Sequence, residues 1–185
     1  MKATRNLVVE HDAVLRALSI LERVSGAVGE GSNGAAGHLE RLLDFFREFV
    51  DRCHHGKEEE ALFPALERRG VRIEGGPIGV MLLEHVTGRG HVRALAEALD
   101  RLGSGDGEAP AAFREHARGY ADLLRAHIDK EHRVLFRVAN RILPEDVAAG
   151  LAARYEEIER ERVGDGKHEE YRVLLRDLGG RYGIE

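Results

Sequence analysis

The spacing of apolar residues predicts helix along almost the whole chain. Leu7, His11, Val14, Leu15, Leu18, Leu21 and Val24 share one stripe of a helix over about residues 4–28. A glycine-rich stretch at residues 29–37 breaks the pattern. A second helix over about residues 38–69 carries Leu42, Phe46, Phe49, Val50 and Cys53, then Leu62 and Leu66. Pro64 lies inside it, removes one backbone donor, and is expected to kink the helix or loosen one turn. After a loop at residues 70–76, Pro77 suits a first helical position. The third helix then runs to about residue 102 on Ile78, Met81, Leu82, His85, Val92, Leu95, Ala96 and Leu99. Gly88 and Gly90 within it point to a close helix approach or a local bend. The fourth helix, over about residues 111–143, carries Phe113, Ala117, Tyr120, Leu124, His127, Glu131, Leu135 and Val138. Two shorter charged helices follow, one after Pro144 and one over residues 167–178.

Histidine and glutamate recur inside these stripes. Residues 54–63 and 127–136 both fit His-x-x-Lys-Glu-x-x-x-Leu-Phe, 73 positions apart. Each is preceded by a Glu-His pair, Glu10-His11 and Glu84-His85, 74 positions apart. Two helix pairs, each with Glu-His on its first member and His-x-x-x-Glu on its second, pack naturally as an up-down four-helix bundle. The expected fold is therefore all-α: a bundle over residues 1–143 and a C-terminal helical extension over residues 144–185 packed on it.

Positions i and i+4 share a helix face, so His54 lies with Glu58 and His127 with Glu131. Phe46, Val50, His54, Glu58, Leu62 and Leu66 form an i+4 row, and Leu123, His127, Glu131 and Leu135 a matching one. The motif thus falls on the face that should meet the core, where a carboxylate beside an imidazole is costly unless paired or metal-bound. One histidine on an apolar stripe is more often a satisfied core residue. Six matched residues, His11, His54, Glu58, His85, His127 and Glu131, are better explained as two half-sites for two metal ions. Nitrogen and oxygen donors without thiolate suit Fe, Mn or Zn, and two carboxylates able to bridge favour a dinuclear site.

His55 and Glu59 form a second i,i+4 pair, but they share a stripe with Asp51 and Arg47, which has the look of a solvated face. The repeat alignment selects His54 and Glu58, leaving His55 and Glu59 as supporting groups or substitute ligands. His91 sits off the apolar stripe and is a weaker candidate for approaching the metals. His116 faces inward as a core or bundle-end histidine. Tyr120 serves either core packing or as a hydrogen-bonding group above the metals. Lys57 and Lys130 are expected to be solvated or ion-paired, His38, His132 and His168 exposed, and Cys53 a small buried thiol.

Charge and composition narrow the function. A formal charge of −5 argues against nucleic acid as a partner. No secretory-type apolar stretch opens the chain, and no run approaches the roughly 20 apolar residues of a membrane span. A lone cysteine forms no intrachain disulfide. The expectation is a soluble cytoplasmic protein with no nucleic-acid or membrane partner.

The combined four-part pattern resembles the hemerythrin-like, HHE cation-binding domains, over roughly residues 5–143. The resemblance implies a four-helix bundle around a non-haem di-iron centre, oxo- or hydroxo-bridged, with Mn or Zn as alternative metals. By motif position its ligands would be His11, His54, Glu58, His85, His127 and Glu131, with Glu58 and Glu131 bridging. Oxygen-carrying members use His-x-x-x-His on the third helix and end on His-x-x-x-x-Asp. Here Gly88 and Arg89 follow His85 at i+3 and i+4, and the fourth helix uses Glu131. The richer carboxylate content resembles the repair and iron-sensing branches and argues against simple reversible oxygen carriage. The repair proteins usually add an N-terminal cysteine-bearing domain, whereas this sequence opens directly on the bundle.

Three functions compete. The first is a protein that binds or senses O2, NO, peroxide or iron. The second is a di-iron oxidase or peroxidase, or a nitric-oxide or iron–sulfur repair enzyme. The third is a zinc-filled or metal-free interaction module. The C-terminal helices are expected to be available to a redox or protein partner.

Overall fold

The computed structural model describes residues 3–28, 35–164 and 166–184. Six helical rods account for most of them, and the described residues contain no strand. The first, α1, is Arg5–Gly26. The second, α2, spans residues 35–67 and is built from Ala35–Asp44, two wide π-type stretches at Phe45–His55 and Glu58–Leu62, and Phe63–Glu67. The third, α3, is Pro77–Gly103. The fourth, α4, spans residues 109–142 as Ala109–Lys130, a π-type turn at Glu131–Leu135, and Phe136–Ile142. Helices α5, Glu145–Arg162, and α6, Lys167–Tyr182, complete the chain. Of the glycine-rich loop expected at residues 29–37, positions 29–34 lie outside the described residues, and 35–37 already belong to α2.

Local chemistry sets several boundaries. Pro77 opens α3 after an extended Gly76, where the missing N–H costs nothing. Glu145 and Asp146 sit in the first turn of α5, favourably placed against the helix dipole. Gly183 closes α6 with φ of 68°, a conformation open to glycine at little cost. Pro64 does not break α2. The wide turn just before it, Glu58–Leu62, recurs at Glu131–Leu135, where Arg137 occupies the equivalent of Pro64. The widening therefore belongs to the repeated motif and not to the proline. Such i→i+5 turns concentrate at functional sites.

The apolar core is divided in two. One cluster is built on Leu18, Leu21, Leu42, Phe46, Leu95, Phe113 and Leu124, among others. The other is built on Leu7, Leu62, Leu66, Ile78, Met81, Leu135 and Phe136. Along every bundle helix the polar motif residues fall between the two: His11 between Leu7 and Val14, His54 and Glu58 between Val50 and Leu62, His85 between Met81 and Val92, Glu131 between Ile128 and Leu135. Successive helices traverse the clusters in opposite order, which makes the bundle up-down. Helix α6 adds Tyr171, Leu174, Leu175 and Leu178 to the first cluster, and α5 adds Leu151, Tyr155 and Ile158 to the second.

Because Ile158 is fully buried in that second cluster, Ile158→Ala is expected to lower the global unfolding free energy by about 2–5 kcal/mol. Urea denaturation followed by circular dichroism should show a single shifted transition. A separate early transition with unchanged main stability would show that α5 is not part of the cooperative unit.

Candidate metal centre

Four helices deliver seven ionisable groups to the gap between the core clusters. His11, His54, Glu58, His85, His127 and Glu131 are each at most 2% exposed, and His55 4%. They form two groups whose potential ligand atoms lie within metal-binding reach of one another. His11, His54, Glu58 and Glu131 make one, and His55, His85 and His127 the other. Nε2 of His11 and Nε2 of His54 converge to 3.0 Å, and those of His85 and His127 to 3.2 Å.

The two carboxylates lie between these groups. Glu58 turns Oε1 toward His54 Nε2, at 3.8 Å, and Oε2 toward His85 Nε2, at 3.4 Å. Glu131 turns Oε2 toward His11 Nε2, at 3.1 Å, and Oε1 toward His127 Nε2, at 3.5 Å. Each carboxylate thus offers one oxygen to each group. All four oxygens are buried without a hydrogen-bond partner. Burial, and for Glu58 the neighbouring charge of Glu131, pushes both carboxyls above the usual range. Burial likewise lowers His11 to about 2 and His127 to about 4, holding both imidazoles neutral. Despite their burial, His54 and His85 are raised by neighbouring carboxylates, His85 to about 9. Imidazole nitrogens and orphaned carboxylate oxygens around a common centre form the donor set of a cation, which would relieve the desolvation of both carboxylates together.

Behind the donors a second ring of groups repeats with the sequence. His54 Nδ1 meets Glu10 Oε2 at 2.8 Å, and His127 Nδ1 meets Glu84 Oε2 at 2.9 Å. The motif lysines complete these links: Lys57 donates to Glu10, at 2.6 Å, and Lys130 to Glu84. The residue after each central glutamate crosses to the other repeat. Glu59 meets His85 Nδ1 and His132 meets His11 Nδ1, at 2.7 and 2.8 Å. Each contact fixes a ring so that Nε2 points inward, as outer partners of metal-bound histidines do. Burial pushes the Glu10 carboxyl up, but the hydrogen bonds and charges of His54 and Lys57 together outweigh it and hold it at about 2.

The expected solvated face of His55 is corrected by this arrangement. Helix α2 is widened through Phe45–His55, and a π-type turn admits an extra residue, so both His54 and His55 turn inward. His55 stacks on His85 with ring centroids 3.8 Å apart. Its counterpart in the repeat is Ile128, so the two groups are unequal: two imidazoles on one side and three on the other. Arg89, one turn after His85, is not a donor. It is tied to Asp51 and Glu59 at 2.7 and 2.8 Å. Glu59 supports His85 and belongs to neither group.

The remaining candidates divide as follows. His91 pairs with His116, Nδ1 to Nδ1 at 3.4 Å, in a gap left by Gly119, away from both groups. Tyr120 packs edge-on against Phe46 and is almost fully buried, with its pKa raised by burial. Of the histidines expected to be exposed, His38 and His168 are half-buried; His38 bonds to Tyr182 and His168 lies 3.3 Å from Glu159. His132 is exposed yet bonds His11. Lys57 is fully buried and ion-paired with Glu10 and Glu159. Cys53 is buried beside Glu159 and His168, with its thiol pushed up to about 12. The Lys57 ammonium next to Glu159 already supplies the positive charge there.

Sequence reasoning did not assign roles to Glu10, Glu84 or His132, although the recurrence of the Glu10 and Glu84 positions carries a signal for those two. Glu159 from α5 has no such signal, because its partner Lys57 is 102 residues away.

An up-down bundle with paired histidine and glutamate donors at mid-height defines a cation-binding helical protein. The model of the hemerythrin HHE cation-binding domain matches residues 2–139, and the chain belongs to that family. It is also 21% identical over 182 residues to the uncharacterized proteins Mb2018 of Mycobacterium bovis and Rv1995 of Mycobacterium tuberculosis, covering 98% of this chain and 71% of theirs. No solved structure matches it significantly. No helix among the described residues is long and apolar enough to cross a membrane.

Removing Lys57 tests the buried outer ring. Lys57→Met leaves Glu10 buried without its cation and is expected to cost about 3–5 kcal/mol in urea unfolding. Glu159→Gln should cost less, because Glu159 is 37% exposed. Equal losses would show that burial does not set the strength of this link.

Proposed function

We propose that the protein holds two iron ions bridged by Glu58 and Glu131 and binds or senses a small ligand: O2, NO or peroxide. The observation that carries this reading is the pair of buried carboxylates, each with one unpartnered oxygen facing each imidazole group. His11 and His54 would hold one ion, and His85, His127 and His55 the other. Bound iron would supply redox chemistry and an exchangeable coordination position.

The chain's own residues do the rest. The group with fewer protein donors, His11 and His54 with two carboxylate oxygens, would leave more room for an outside ligand on an ion held there. Glu10, Glu84, Glu59 and His132 hold the rings in one tautomer and orientation. The two apolar clusters above and below exclude water from the centre. We place the protein in the cytoplasm, where a single reduced cysteine suits the redox conditions.

The test is metal analysis after expression with added iron, with optical spectra taken reduced and after exposure to air. Two irons per chain and near-ultraviolet bands that change on oxidation are expected. Glu58→Ala and Glu131→Ala should each lose both ions. His132→Ala should retain them with affinity about 10–100-fold weaker in chelator competition. Zinc alone despite available iron, or no metal, would overturn the redox reading and leave a structural module.

A further inference from the structure

Four of the five imidazoles at the centre have Nδ1 engaged by a partner: His11 by His132, His54 by Glu10, His85 by Glu59, His127 by Glu84. His55 differs. Its Nδ1 is buried without a hydrogen-bond partner, and the nearest carboxylate oxygen, Asp51 Oδ1, is 3.5 Å away and receives the Arg89 Nε–H instead. His55 also forms part of the wall of a cavity of about 230 Å³ between α2, α3 and α4.

The rest of that wall is cationic. Arg47, Arg89 and Arg93 line it against a single acid, Asp51, with Phe46 and Tyr120 supplying the apolar part. Arg89 is neutralised by Asp51 and Glu59. Arg47 and Arg93 have no carboxylate partner among the described residues and stand exposed at the cavity. Two uncompensated guanidiniums at the cavity, with an unpartnered Nδ1 on a residue of its wall, are complementary to a small oxygen anion.

We propose that this cavity is a binding site for a small oxyanion, a carboxylate or an inorganic oxyanion, which accepts a hydrogen bond from His55 Nδ1 and is held by Arg47 and Arg93. The anion gives His55 the outer partner that the chain itself supplies to the other four histidines. Occupancy of the cavity then bears on the orientation of the third imidazole in its group, so the site couples a soluble anion to the metal centre. The binding pocket is formed by the fold and does not require the two irons.

Isothermal titration of the protein as purified, with inorganic phosphate and separately with acetate, tests this, with metal content measured on the same sample. Saturable binding of either is expected; phosphate alone identifies an inorganic oxyanion, and acetate alone a carboxylate. The double variant Arg47→Gln/Arg93→Gln, at exposed positions outside the metal groups, should keep its melting temperature and metal content and lose about 10–100-fold in anion affinity. His55→Leu should weaken binding as well. No saturable binding of either anion, or equal affinity in the double variant, would overturn the proposal; the latter would place the anion on the metals instead. Metal-poor protein that still binds anion would count against the iron reading and not against this site.

Discussion

The structure depends on the burial of two facing carboxyl groups. Glu58 and Glu131 meet at the middle of a four-helix bundle, both without solvent exposure and with all four oxygens unpartnered. Burying one unpaired carboxylate costs several kcal/mol, and two facing each other cost more. His54 and His85, raised by neighbouring carboxylates despite their own burial, offset part of that cost. The core is divided into two clusters around this point, and every helix of the bundle presents a donor to it. The arrangement is stable as a whole when positive charge sits between the carboxylates.

The internal repeat explains how a chain builds such a centre. Glu-His on one helix and His-x-x-Lys-Glu on the next form a closed local set: the glutamate holds the neighbouring histidine, and the lysine holds that glutamate. The residue after the central glutamate then reaches across to the other repeat, as Glu59 to His85 and His132 to His11. Symmetry is broken at one position, His55 against Ile128, and that single difference makes the two sides of the centre unequal. The same residue lines the arginine-walled cavity.

Helix number, order and the inward row from Phe46 to Leu66 were legible because they rest on a 3.6-residue period. His55 was not, because that period fails where α2 widens through Phe45–His55, and a turn of different pitch rotates the following residues. Pro64 suggested a local disturbance, but the matching turn at Glu131–Leu135 shows that the motif itself carries it. The outer ring was half legible. Glu10, Glu84, Lys57 and Lys130 recur in register, but a charged residue beside a ligand reads as solvated until its partner is known. Glu159 was invisible, since nothing local ties α5 to Lys57.

The central claim is that Glu58 and Glu131 span two ions at once. X-ray absorption fine structure of the iron-loaded protein tests it most directly. The account predicts a metal–metal vector below about 4 Å, absent from the Glu58→Ala protein. A single shell of nitrogen and oxygen neighbours with no metal–metal vector in the wild-type chain, at whatever iron content, would contradict it.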